Sequence, residues 1–168
     1  MSNLKGCFSR ESDNWRTPSA LYSAFMDLGF VDCFPFKSEE DEFLKIYRGG
    51  HRLFINPPFS KMGEVSKWVI KQAKLLNDIY LLIPARTDTK YFRQLVNELG
   101  NRMHIIFITG RLKYNDAGSA PFPTMLIIIE QEEKEFKTFS VMSQDELIQN
   151  LYIRSLTWQG KKKKSGVQ

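Results

Sequence analysis

Cysteine and histidine are scarce in this chain, with two of each among 168 residues. Cys7, Cys33, His51 and His104 stand at unrelated spacings, so neither a zinc cluster nor a disulfide framework is expected. Long apolar runs are also missing. The longest, Ile79 to Pro84 and Met125 to Ile129, are far too short to span a bilayer. No signal peptide is evident, and together with the sparse cysteines this points to a reducing cytoplasm. There is no internal repeat. Acidic residues are in deficit, 19 against 24 basic ones, and the net charge of +5 favours a polyanionic partner. The remainder is ordinary for a globular protein: 42% hydrophobic and 26% charged. The length allows one domain with a proper core and is too short for two.

The most informative stretch is Leu53-Phe54-Ile55-Asn56-Pro57-Pro58-Phe59. An apolar run reads as a buried strand that must stop at Asn-Pro-Pro, because neither proline can donate to a ladder. Asn56 and Pro57 each precede a proline and are pushed toward extended geometry. The Asn56 side-chain oxygen and the Pro57 carbonyl are then acceptors for the two N–H groups of an exocyclic amine. Phe59 can stack on the ring that carries the amine. The bland alternative is a proline-rich turn with a core phenylalanine.

Taken in order, residues 1–14 read as a loose arm, 15–158 as one domain, and 159–168, with Lys161 to Lys164, as a basic flexible tail. Thr17 is a good N-cap and Pro18 a good first residue for a helix over Leu21, Tyr22, Phe25 and Leu28. Trp15 either staples the entrance to that helix or lines a pocket. Phe30-Val31 is a short strand ending at Asp32. That acid either occupies a ligand-binding strand end or is a solvated turn residue. Residues 37–41 read as a solvated acidic loop, and Gly49-Gly50 turns the chain into the strand Arg52 to Ile55. A helix follows with Val65, Trp68, Val69, Gln72 and Leu76 on one face.

Ile79 to Pro84 is a continuous apolar strand of the kind parallel sheets contain. It ends at Ala85-Arg86-Thr87-Asp88-Thr89, where Thr89 or Asp88 caps a helix that closes at Leu99-Gly100. Ile105 to Ile108 is a further strand. Gly110 to Tyr114 reads as an exposed segment on which Arg111, Lys113 and Tyr114 either meet phosphates and bases or form a solvated tip. Ala120-Pro121-Phe122-Pro123 leads into a strand at Thr124 to Ile129. Residues 130–135 form a charged turn and Phe136 to Val141 an edge strand. Ser143 to Glu146 is a capping box for a last helix. This alternation predicts an α/β open sheet, mostly parallel, with an antiparallel late hairpin at one side.

Asn56-Pro57-Pro58-Phe59 resembles motif IV of S-adenosylmethionine-dependent amino-methyltransferases. From Trp15 to about Ile129 the chain resembles the small phage and prophage DNA N6-adenine methyltransferases, the phage Dam family. The resemblance is carried by Trp15-x-Thr17-Pro18, Asp32-Cys33, Asn56 to Ser60, Leu82 to Thr89, Gly110 to Tyr114 and Ala120 to Pro123. It implies a Rossmann-like methyltransferase fold, S-adenosylmethionine as donor and adenine in DNA as acceptor. If phage-encoded, the protein would work in the bacterial host cytoplasm. Asn56, Pro57, Pro58 and Phe59 would then form the catalytic corner. Trp15, Thr17, Pro18, Asp32 and Asn56 would surround the cofactor. Arg86 and Thr87 would flank the cleft, and Arg111, Lys113, Tyr114 and Phe122 would face DNA. Two departures stand out: Asp32 is not followed by the usual glycine-rich turn, and Glu42 stands where relatives often carry glycine. Two other readings share these residues. One is an amino-methyltransferase acting on RNA or a protein glutamine. The other is a non-catalytic DNA-binding or decoy relative.

Overall fold

The structure is a computed structural model that describes residues 15–35, 45–116, 118–131 and 138–165. The expected arm, the acidic loop with Glu42, and most of the charged turn lie outside the described residues. Helix α1 (Ser19–Asp27) leads to β1 (Val31–Asp32), then β2 (Arg52–Ile55), α2 (Met62–Lys74) and β3 (Asp78–Pro84). There follow α3 (Lys90–Leu99), β4 (Met103–Ile108), β5 (Thr124–Ile129), β6 (Thr138–Met142) and α4 (Gln144–Ser165).

The strands form one six-stranded sheet in the order β1-β2-β3-β5-β4-β6. The β1–β2, β2–β3 and β4–β6 pairs are parallel, and β5 is antiparallel to both of its neighbours. The mainly parallel α/β sheet is as expected. The antiparallel strand, however, lies inside the sheet rather than at one side. The loop from β4 folds β5 back between β3 and β4, where both faces are covered. From Met125 to Ile129 its side chains are therefore apolar, as are Ile79 to Ile83 of the parallel β3.

Each strand splits its residues between two cores, as the period of two requires. Leu53, Ile55, Ile79, Leu81, Ile83, Met125 and Ile127 pack under α2 and α3 with Val65, Val69 and Leu95. Phe54, Tyr80, Leu82, Leu126 and Ile128 pack under α1 and α4 with Leu21, Phe25, Leu147 and Leu151. Helices thus cover both faces of the sheet. Trp68 is buried in the first core and donates its indole N–H to the Lys45 carbonyl at 3.0 Å.

Local chemistry sets the helix ends. Ser143 and Glu146 form the reciprocal capping box, with bonds of 2.7 and 3.2 Å. Thr89 caps α3 by accepting from the Phe92 N–H. Thr17 does not cap α1. Pro18 holds the cap position with no side-chain bond, because the Thr17 hydroxyl is engaged elsewhere. The backbone of α4 continues as helix to Ser165, where a loose tail was expected. No proline interrupts that stretch, and lysine is a good helix former. No helix among the described residues is long and apolar enough to cross a membrane.

Gly49 marks a close approach of two chain segments. A Cβ there would meet the Leu75 carbonyl oxygen at 2.4 Å, and backbone cannot rotate out of the way. Gly49→Ala is expected to cost about 1–3 kcal/mol, the usual range for overpacking, and a thermal melt would read the loss.

Candidate active site

The parallel strands deliver their carboxyl ends to one edge of the sheet. Asp32 closes β1, Asn56 follows β2 and Arg86 follows β3. Because β5 runs the other way, its first residue, Thr124, meets the same edge, paired with Pro84 and Ile108.

The Asn56 amide is fixed from one side. Its Nδ2 donates to the Trp15 carbonyl at 2.6 Å and to the Thr17 hydroxyl at 3.0 Å. A carbonyl only accepts, so the amide nitrogen must face Trp15 and the oxygen must face away. That oxygen, Oδ1, is buried and has no hydrogen-bond partner among the described residues. A buried acceptor left unpaired is costly and uncommon. Pro57 is buried behind it. The Pro58 carbonyl accepts from the Lys61 N–H at 3.0 Å and opens the 3-10 turn Phe59–Lys61, which leads into α2.

Aromatic rings wall this corner. Phe59 meets Phe122 edge-on at 5.5 Å and Tyr114 at 6.5 Å. Trp15 meets the same two rings at 5.2 and 5.7 Å. Tyr114 and Phe122 are only 1% and 6% exposed, so Tyr114 does not stand out on an exposed segment as its sequence neighbours suggest, and both rings turn into the corner. The reason lies in the loop. Asn115 adopts a left-handed conformation, φ 59°, which asparagine tolerates well. It exchanges bonds with Arg16: its N–H donates to the Arg16 carbonyl at 2.9 Å, and its Oδ1 accepts from the Arg16 N–H at 2.8 Å. The loop is thereby pinned to the Trp15 segment, with both rings turned inward. Burial pushes the Tyr114 hydroxyl well above its usual pKa. The Thr124 hydroxyl lies beside it, and neither completes a hydrogen bond of good geometry among the described residues. Arg86 and Thr87 are exposed on the turn after β3, and Arg111 and Lys113 are exposed on the β4–β5 loop.

On the α1 side of Asn56 opens a cleft of about 500 Å³ lined by Arg16, Thr17, Ser19, Tyr22, Ser23 and Asp32. Of the five expected cofactor residues, Thr17 and Asp32 line it. Trp15 and Asn56 lie behind Thr17, joined by their mutual bond, and Pro18 is buried at the start of α1. Tyr22, which shares the helical spacing of Leu21, Phe25 and Leu28, is 36% exposed. Leu21, Ala24 and Phe25 fill the buried face of α1, which leaves Ser19, Tyr22 and Ser23 as a polar stripe at helical spacing. That stripe is the sequence signal for the missed residues.

Asp32 shapes its own turn. Its Oδ1 accepts from the Phe34 N–H at 2.9 Å, an Asx turn that bends the chain after β1 without glycine. Burial raises the Asp32 carboxyl above its ordinary pKa, while the Phe34 N–H and the neighbouring Tyr22 hydroxyl pull it back down. The ionised form is thus penalised in the fold. That penalty is full above the raised pKa and absent below the ordinary value of 3.8. Asp32→Asn is therefore expected to stabilise the free protein at neutral pH, with the gain vanishing as the pH falls toward 3.8. Melts at neutral and acidic pH would show it.

An open α/β sheet with helices on both faces and an Asn-Pro-Pro-aromatic corner at its carboxyl edge is the architecture of a Rossmann-like methyltransferase. Residues 6–152 match the family described as DNA N-6-adenine-methyltransferase (Dam), and the chain belongs to that family. No curated protein and no solved structure matches it.

Proposed function

We propose that this chain methylates the N6 amine of an adenine extruded from DNA, taking the methyl group directly from S-adenosylmethionine with no covalent bond to the protein. The observation that carries this reading is the Asn56 amide. Its nitrogen is tied to Trp15 and Thr17, and its buried oxygen is unsatisfied. An amine N–H is the donor that oxygen lacks. The Pro57 carbonyl takes the second N–H, so the amine is held at both hydrogens and its lone pair is aimed. Phe59 stacks on the base, and the edges of Phe122 and Tyr114 keep that ring in place.

The cleft of about 500 Å³ beside Thr17 fits S-adenosylmethionine in size. Asp32 offers a carboxylate to hydroxyl or ammonium groups there. When bound, the cofactor supplies an electrophilic methyl group. Thr17 stands where this cleft meets Asn56, so donor and acceptor approach from opposite sides of one residue. Asp32→Asn should weaken cofactor binding about tenfold or more, the value of a charged hydrogen bond, as read by calorimetric titration.

Mass spectrometry of nucleosides tests the reaction. Unmethylated DNA incubated with the protein and S-adenosylmethionine should yield N6-methyladenine. Methyl transfer to RNA or protein but not to DNA would replace the acceptor in this reading. No transfer, together with no saturable cofactor binding, would leave a DNA-binding relative without the activity.

A further inference from the structure

An open groove of about 300 Å³ runs between the starts of α2 and α3. It begins at Ser60 and Lys61, directly after Phe59. Lys67 of α2 forms one side, and Lys90, Tyr91 and Gln94 of α3 form the other. Three lysines share it with a single acid, Glu64. Lys67 and Lys90 are exposed, and neither makes an ion pair among the described residues. Farther along the same helix pair, Lys74 is held by Glu98 at 3.2 Å. Unpaired positive charge therefore gathers at the end of α2 and α3 that meets the Asn56 corner. The cofactor cleft on the other side differs, since its lining carries one cation, Arg16, and one acid, Asp32.

We propose that this groove holds the sugar–phosphate backbone of the target strand next to the extruded adenosine, with Lys67 and Lys90 binding phosphates. This rests on the DNA-methylating reading of the site. Turning a nucleotide out of a duplex costs a few kcal/mol, and cations beside the pocket offset that cost by releasing counterions from the phosphates they neutralise. A base seated against Phe59 leaves its own backbone at the pocket mouth. Ser60 and Lys61 continue from that ring into the groove with no element between. Ser60, Tyr91 and Gln94 add neutral donors of the kind that fix register on phosphate oxygens.

The test is binding of a fluorescent duplex across a salt titration. The proteins compared are the wild type, Lys67→Ala, Lys90→Ala, the double variant, and Arg48→Ala as a control. Arg48 is exposed just before β2, at the opposite edge of the sheet, and its loss removes the same charge. Each lysine variant should bind several-fold more weakly at moderate salt. The slope of log affinity against log salt should become shallower by about 1 per lysine, and by about 2 in the double variant. Arg48→Ala should keep the wild-type slope. If the double variant and Arg48→Ala give the same slope, the groove is not the phosphate track, and the methylation reading is untouched. If the wild type binds no DNA at all, the acceptor assigned above is wrong and this proposal falls with it.

Discussion

Asn56→Ala is expected to slow methyl transfer to DNA by about 10²–10³-fold, the usual cost of deleting one preorganised polar contact at a reacting centre, with cofactor affinity little changed. Asn56 does not line the cleft beside Thr17, so its loss removes no atom from the cofactor surface. What disappears is the buried Oδ1 acceptor that polarises and aims the amine. The substitution also strips donors from the Trp15 carbonyl and the Thr17 hydroxyl. A stability loss of about 1–3 kcal/mol should accompany it, so rates must be taken well below the melting temperature. Single-turnover rates at saturating cofactor and DNA isolate the chemical step. A variant that transfers methyl at the wild-type rate would show that the unpaired oxygen serves some other purpose.

The elements that follow from local periodicity were legible before any coordinates. The apolar runs of β2 and β3, the helical spacing of Val65, Trp68 and Val69, and the Ser143–Glu146 capping box all depend on residues close in sequence. So does the stop at Asn56-Pro57-Pro58, which places the motif at a strand end. The direction of β5 was not legible in the same way. Met125 to Ile129 is a continuous apolar run because both faces of the strand are covered. Coverage, unlike direction, is what hydrophobicity records. The aromatic corner was half legible. Phe59 could be assigned to it, but Tyr114 and Phe122 look like loop residues until Asn115 is seen bonded to Arg16, 99 residues away. The wall of Asn56 was hidden for a related reason. Thr17 beside Pro18 carries a local capping signal, and the tertiary bond to Asn56 overrides it.

Thr17→Val is expected to lower the single-turnover rate by about 10–100-fold, because a small displacement of a positioned group costs that much, while Thr17→Ser stays near wild type. Valine keeps the size and branching of threonine and removes the oxygen. Asn56 Nδ2 then has one acceptor left, the Trp15 carbonyl at 2.6 Å, and one bond allows the amide to swing where two do not. Serine keeps the hydroxyl, so rescue by serine separates the hydrogen bond from the packing that threonine supplies at 4% exposure. Thr17 also lines the cofactor cleft, so cofactor affinity must be measured beside the rate. A valine variant weakened in cofactor binding alone, with the wild-type rate at saturation, would assign Thr17 to the cofactor only. A variant slowed at saturation would show that the same hydroxyl, between the cofactor cleft and the Asn56 corner, sets the orientation of the amide that meets the base.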